Sequence, residues 1–356
     1  MRIVQIIDSL ESGGAERMAV NYANSLADVI AFSGLIASRK EGNLKAHLNS
    51  KVDYLFLKKK SKIDSKAIVA LKSYCKKNRV DFIHAHGTSF FTAFLVKLAY
   101  PSIKIVWHDH YGLSEFLSAR KSFILEMASF FFAGIVSVNS QLKNWAKEKL
   151  HCKNVIYLPN FTTAGSIGQE TVLRGNVGKR ILCLANLRQQ KNHLMLVNVA
   201  ERIQTTYPDW TFHFVGSDFE DDYSKNIKAE VAAKNLDENV FIYDSRNDTD
   251  NIISQSDIAV LSSNSEGLPV ALLEYGLFKK AVVVTDVGEM PLIIKYGENG
   301  FITPSEDEEA FFNSIIKLIE SPELRTNLGN ALYETILKNN SKKAVINSYL
   351  DWIRKL

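Results

Sequence analysis

Short apolar runs rich in β-branched residues alternate with helical stretches along almost the whole chain, and that alternation leaves few folds open. In the first half, strand-like runs fall at residues 2–7, 29–36, 52–57, 82–84, 103–107, 134–138 and 155–158. Helical stretches at 15–26, 66–77, 90–99, 121–132 and 141–150 separate most of them. Strands alternating with helices predict a mostly parallel, doubly wound α/β sheet. Residues 159–179 have no strong period; they hold Thr162, Thr163, Ala164, Gly165 and Ser166, then Gly168, Gly175 and Gly178, and read as an interdomain linker. The alternation then restarts, with strands at 180–184, 211–215, 240–243, 257–261 and 281–285 and helices at 193–205, 222–234, 269–278 and 308–320. Two domains are therefore expected, over 1–165 and 166–340, which also suits a chain of 356 residues. A last helix near 341–356, carrying Tyr349, Trp352 and Ile353, is free to return to the first domain.

The stretch Ser262–Lys279 reads as a strand end, a tight loop and a buried helix. Pro269 is expected at the first helical position, where its missing N–H costs nothing. Val270, Leu273, Glu274 and Leu277 fall on one stripe, so the only carboxylate of the helix shares the face that is buried. A lone carboxylate there is costly unless something hydrogen-bonds it. Glu266 sits eight residues earlier, at the helix mouth. One account is a solvated loop Glu and a helix Glu that reaches water. The other has the Gly267 and Leu268 amides at a helix N-terminus, where oxygen-rich ligands bind, and Glu274 placed to accept hydrogen bonds from the diol of a ribose. Near the start, strand 2–7 leads into Gly13-Gly14 and a helix. That is either a tight turn or a close approach to phosphate backed by the helix dipole, and it is not the Gly-x-Gly-x-x-Gly fingerprint of dinucleotide enzymes.

These segments resemble the family 4 glycosyltransferases, which have the GT-B fold of two Rossmann-like domains facing across a cleft. Glu266 and Glu274 match the family's Glu-x7-Glu signature, with Gly267-Leu268-Pro269 after the first Glu. Gly13-Gly14-Ala15-Glu16-Arg17 matches its N-terminal Gly-Gly-Ala-Glu-Arg. The resemblance covers nearly the whole chain and is strongest from residue 181 to residue 304. It implies that Glu266 and the following amides hold the donor sugar and that Glu274 holds the nucleotide's ribose. Arg188 and Lys191 follow the strand at 180–184; they are either an ordinary basic surface turn or two cations suited to a diphosphate leaving group. Asn186 stands where many members have the Arg, with Arg188 two residues later. His108 matches a family His near the donor sugar, and His110 is a second candidate.

The implied reaction moves a sugar from a nucleotide sugar, commonly UDP-linked, to a glycan or lipid-linked acceptor with retention, in cell-envelope polysaccharide synthesis. No cofactor or metal is implied: cationic side chains and helix amides take the diphosphate charge. A nucleotide-sugar epimerase on the same scaffold and a non-catalytic nucleotide-sugar-binding protein are the rival readings. His84 and His86, with His108-Asp109-His110, raise a zinc reading, but no Cys or acidic cluster has the spacing to complete it. Asp218–Asp222 reads as a solvated helix start.

Cys75, Cys152 and Cys183 are far apart and odd in number, which argues for a reducing compartment. The run 2–7 is too short for a signal-peptide core, so a cytoplasmic location is expected. Residues 123–138 come closest to a membrane span, but Glu126, Ser129 and Gly134 interrupt them and they read as a core helix followed by a strand. The net charge of +4 hides an asymmetry: residues 1–165 carry 23 Lys/Arg and 12 Asp/Glu, and residues 166–356 carry 20 and 27. Residues 58–79 hold nine Lys/Arg and one Asp. With Tyr74 as the only aromatic there, nucleic acid is not expected. A solvated helix face is the default account of this run; the other is an anionic membrane surface as partner, through Lys58, Lys59, Lys60 and Lys62, with Phe90, Phe91 and Phe116 elsewhere in that half.

Overall fold

The computed structural model describes residues 1–356 except Ser12, Leu113 and residues 162–169, and the side chains of Ser114, Glu115, Phe116 and Asn339. The Thr162–Ser166 and Gly168 part of the expected linker, Ser12 of the first loop and the Phe116 side chain lie outside the described residues. Two compact units are present, Met1–Thr163 with Lys342–Leu356, and Ala164–Ser341.

The first unit runs β1 (Arg2–Ser9), α1 (Gly14–Ala27), β2 (Phe32–Lys40), β3 (Asp53–Phe56), α2 (Ser65–Lys77), β4 (Phe82–His86), α3 (Phe90–Ala99), β5 (Lys104–Asp109), α4 (Phe123–Ser129), β6 (Phe132–Ser137), α5 (Ser140–Lys149) and β7 (Val155–Tyr157). The second runs β8 (Arg180–Leu184), α6 (His193–Thr206), β9 (Thr211–Val215), α7 (Asp222–Ala233), β10 (Val240–Tyr243), α8 (Thr249–Ser254), β11 (Ile258–Leu261), α9 (Val270–Leu277), β12 (Ala281–Thr285), α10 (Met290–Ile293), β13 (Phe301–Thr303), α11 (Glu308–Glu320) and α12 (Pro322–Asn339). α13 (Lys342–Ile353) belongs to the first unit.

Every strand pair is parallel, in the orders β3-β2-β1-β4-β5-β6-β7 and β10-β9-β8-β11-β12-β13. Parallel sheets are covered on both faces, which is why β11 and β12 read as unbroken apolar runs and are buried throughout. Each fully buried Val, Ile or Leu in such a strand contributes about 1.5–3 kcal/mol. The strand expected at 29–36 begins later: α1 continues to Ala27, Val29 is exposed in the turn, and the pairing with β1 starts at Phe32. α13 docks through side chains: the Tyr349 hydroxyl bonds His84 Nδ1 at 3.1 Å, and Trp352 lies where a side chain at Gly134 would be. In the second unit, residues 170–173 are not loose linker. Asp248 accepts from the Glu170 and Thr171 amides, and Leu173 is buried.

Candidate active site

In open α/β sheets ligands bind beyond the carboxyl ends of the strands, where the strand order reverses. In the second sheet that point lies between β8 and β11. The loops that follow them, residues 185–192 and 262–269, are tied together by hydrogen bonds. The Asn264 amide donates to the Gln190 carbonyl at 2.8 Å, and Ser262 Oγ donates to the Lys191 and Asn192 carbonyls at 2.9 and 3.1 Å. Asn192, in the left-handed region at φ 50°, caps α6 and holds Asn264 Oδ1 at 3.1 Å.

This lacing brings the Lys191 ammonium onto Glu266 Oε1, and Ser263 Oγ donates to the same oxygen at 2.7 Å. The side chains are 18% and 7% exposed. An enclosed carboxylate is tolerated only when paired and hydrogen-bonded, and Lys191 and Ser263 meet that need. The loop is braced from behind. Gly288 has φ +60°, and a Cβ there would lie 2.4 Å from the carbonyl oxygens of Glu266 and Gly267. The Glu289 amide donates to the Gly267 carbonyl at 2.9 Å.

Pro269 is the residue before the helix, not its first turn: its ψ of 128° is extended, and α9 starts at Val270. Leu268 is buried and Gly267 half-buried. Glu274 is buried at 7% exposed. The next residue, Tyr275, pins α9 to β8 by accepting from the Leu184 amide at 2.6 Å. Arg188 is exposed, and its guanidinium lies 4.8 Å above the Phe219 ring. Asn186 Oδ1 accepts from the Ser217 amide at 2.9 Å, so it brackets the ends of β8 and β9.

In the first sheet the reversal lies between β1 and β4. Gly13 caps α1 with extended backbone, and Gly14 opens the helix with nothing near its missing side chain. Asp8, at the end of β1, accepts from Ser38 and from Thr88. Past β5, Arg120 grips Asp109 with two bonds of 2.7 and 2.9 Å while its guanidinium packs on Tyr111 and Trp145 at 4.4 and 4.2 Å. Burial raises the Asp109 carboxyl, and Arg120 opposes that shift.

The histidines form a stack. His84, His86 and His108 are 0–1% exposed, and His110 is half-buried. His86 bonds His110 Nε2 at 3.0 Å and Gln5 Oε1 at 2.9 Å. Tyr22 stands edge-on to His84 and His108 at 5.1 and 5.5 Å. Burial drives all four imidazoles to the neutral form; His110 falls to about 3. His108 lies near the end of β5, enclosed by Tyr22 and by the other imidazoles. Three imidazole nitrogens, from His84, His86 and His108, lie within 4.8 Å of one another. The rings of His84 and His108 are 7° from parallel, and both His86 nitrogens are engaged, by His110 and Gln5.

Of the four expected membrane lysines, Lys58, Lys60 and Lys62 are exposed. Lys59 is not available: it is 7% exposed, its ammonium donates to Thr92 Oγ1 at 2.6 Å, and burial lowers its pKa. Among the described residues no helix is long and apolar enough to cross a membrane.

Comparison with known proteins agrees with this architecture. Residues 12–163 match the model of Glycosyltransferase Family 4, and residues 173–335 match that of Glycosyl transferases group 1. An uncharacterised glycosyltransferase of Haemophilus influenzae is 24% identical over 323 residues, 88% of this chain and 88% of that protein. The UDP-Gal:alpha-D-GlcNAc-diphosphoundecaprenol alpha-1,3-galactosyltransferase of Escherichia coli is 23% identical over 309 residues, 80% of this chain and 76% of that one. The crystal structure of Anabaena HepE in complex with UDP-glucose superposes with a TM-score of 0.81 at 16% identity, covering 100% of both chains. Two parallel sheets of this order are the GT-B fold. With one family model on each unit, the chain belongs to the group 1, family 4 glycosyltransferases.

Proposed function

We propose that this enzyme transfers a hexose, with retention, from a UDP-sugar to a glycan or lipid-linked acceptor in cell-envelope polysaccharide synthesis. The observation that carries the reading is the Lys191–Glu266 pair, enclosed at the switch point of the second sheet. Lys191 is shared with the donor's diphosphate, where it and Arg188 neutralise charge growing on the leaving group. Glu266 and the Gly267 and Leu268 amides hold the donor sugar, ahead of Pro269 and α9, and Glu274 holds the ribose. In the first unit Gly13 and Gly14 approach phosphate, and His110, with His108 4.0 Å behind it, lies near the sugar. The departing phosphate oxygen takes the acceptor's proton, so no side chain is needed as a nucleophile. With cations in place at the diphosphate, the reaction proceeds without a divalent metal. The names of the similar proteins support the donor and acceptor classes: UDP-glucose in one, UDP-galactose and an undecaprenol diphosphate in the other.

The test is product analysis with UDP-sugars, with and without acceptor, in EDTA. A glycoside formed only when acceptor is present, at a rate EDTA leaves unchanged, supports the reading. Isomerised or free sugar without acceptor would make the protein an epimerase or hydrolase. Loss of turnover in EDTA restored by manganese would overturn metal independence. Glu274→Ala is expected to lose nucleotide affinity, and Glu266→Ala mainly turnover.

A further inference from the structure

Residues 123–138 form the expected helix and strand, and β6 is buried, but the helix and the turn after it, residues 123–131, are covered on one side only. Leu125 and Ala128 of α4 are buried, and Phe132 enters the core with β6. On the other side Phe123 is 77% exposed, Ile124 56%, Met127 53%, Phe130 61% and Phe131 41%. These five fall at i, i+1, i+4, i+7 and i+8, a single helical stripe, and the helical backbone of Phe130 carries it past the end of α4. The patch continues onto α3. The Phe94 ring is 5.2 Å from Phe131, and Leu98, one turn further, is 53% exposed. On another edge the His151 ring stacks on Phe130 at 3.9 Å. Single exposed apolar residues are normal, but a contiguous aromatic patch marks a place where something docks.

The rim indicates what docks. Lys121, two residues before the stripe, is exposed, as are Lys149 and Lys153, which flank His151 in sequence, with Glu148 the exposed acid beside them. The one acid in α4, Glu126, is engaged by Ser122 Oγ. Residues 1–165 carry 23 Lys/Arg against 12 Asp/Glu. None of the five stripe residues has a hydrogen-bonding side chain to fix the register of a protein partner. Apolar side chains that sink below the headgroups, flanked by lysines that meet phosphates, suit an anionic lipid surface.

We propose that the outer face of α4, with the adjoining end of α3, docks on the surface of an anionic lipid bilayer, and that the exposed lysines Lys58, Lys60 and Lys62 are secondary to it. This deepens the lipid-linked acceptor reading given above, and the two fail separately.

The test uses the full chain and vesicles of phosphatidylglycerol and phosphatidylethanolamine, with pure phosphatidylcholine as control, in 0.1 M salt. Co-sedimentation is expected on the anionic vesicles and at least tenfold less on the control. Phe123→Ser with Met127→Ser and Phe130→Ser should lower partition at least tenfold while the UDP-induced rise in Tm persists. Lys58→Gln with Lys60→Gln and Lys62→Gln should lower it less than threefold. A second measurement does not depend on the triple variant folding. Cys75, Cys152 and Cys183 are buried, so an environment-sensitive dye can be placed on Met127→Cys or on Lys60→Cys. Its emission should rise several-fold on anionic vesicles at the first position and not at the second. Wild-type partition by the triple variant, no dye response at position 127, or no vesicle binding at all would overturn the proposal. So would a concentration-dependent dimer broken by the same substitutions and indifferent to vesicles, which would assign the patch to a second copy. A protein that binds vesicles but transfers no sugar leaves the docking surface standing and removes the proposed function.

Discussion

At the switch point of its sheet each unit encloses polar side chains, but of opposite kinds. The second unit holds a charged pair, Lys191 on Glu266, fed by Ser263 and laced between two loops. The first holds a stack of uncharged rings, His84, His86, His108 and His110, with Tyr22 and Tyr349 against it. A buried ion pair is maintained only while both partners stay, and it offers a ligand a charge to share. Stacked neutral imidazoles offer packing area and hydrogen bonds without net charge. The histidine stack suits holding a helix such as α13; the ion pair suits the anionic ligand proposed above.

The largest effect that separates them is expected from Lys191→Ala. It leaves Glu266 enclosed without its cation, with Ser263 still on the carboxylate, which costs about 3 kcal/mol of stability, and UDP affinity should fall by roughly a hundredfold, about 2.7 kcal/mol. Combining Lys191→Met with Glu266→Gln removes the stranded charge, so Tm should recover while UDP binding does not. Urea unfolding and calorimetric titration read the two quantities. Recovery of both together would mean that Lys191 does not meet the diphosphate.

Acid should act in the reverse order, on the first unit before the second. The four stacked imidazoles have pKa values held below 6.5, as do His193, at about 4, and His213, at about 3, in the second unit. Above pH 6.5 neither folded nor unfolded chain binds these protons, and there is no penalty. As pH falls below 6.5 the unfolded chain takes them up and the folded chain does not, so stability drops by about 1 kcal/mol per imidazole at one pH unit below. Four such groups against two predict losses at pH 5.5 of roughly 4 and 2 kcal/mol. Amide exchange at pH 7.5 and 5.5, followed in peptides from β4 and β5 and from β8 and β9, checks it. Equal acceleration in both units would remove the distinction.

Much of this contrast was legible in the sequence, for reasons that differ by residue. Buried parallel strands advertise themselves as runs such as Ala281–Thr285, and turn residues mark Gly13, Asn264 and Gly267. α12 escaped because its apolar stripe is one residue wide, Leu328, Leu332 and Ile336, and its partner is the gap left by Gly276 in α9. Lys191 and Glu266 were nameable as candidates from local pattern, but their pairing spans two loops and needed the strand order. The enclosure of His108 carries no local signal, because it comes from Tyr22, on α1. Arg120 carried no local signal at all, since its role is defined by Asp109 and by two aromatic rings. α4 was half legible: an apolar run shows that a face is buried, not that a second one is left out.

A residue the sequence did not single out gives the next sharpening. Gly288→Ala strains a backbone held at φ +60° and drives a methyl into the Glu266 and Gly267 carbonyls. The cost is expected at about 2 kcal/mol, and the loop should shift enough to weaken UDP-sugar binding more than UDP binding, because the displaced groups face the sugar in the proposed pose. Equal weakening of both ligands would detach the Glu266 loop from sugar recognition.

The smallest expected effect tests the neutral cluster directly. Tyr349 is fully buried, stacks on His84 at 5.2 Å and bonds its Nδ1 at 3.1 Å. Tyr349→Phe keeps the ring and removes the hydroxyl, leaving a buried imidazole nitrogen without its partner, at about 1 kcal/mol. The loss should appear as faster amide exchange in α13 and a lower urea midpoint, with UDP affinity unchanged. Because no charge is involved, raising salt from 0.1 to 1 M, which shortens the screening length from ~10 to ~3 Å, should leave the difference between variant and wild type as it was. The Lys191 variant should respond to the same salt step, since removing the ammonium opens Glu266 to the solvent that reached Lys191. A salt-sensitive Tyr349→Phe effect would mean that the histidine stack carries charge in the folded protein, and the contrast between the two units would have to be redrawn.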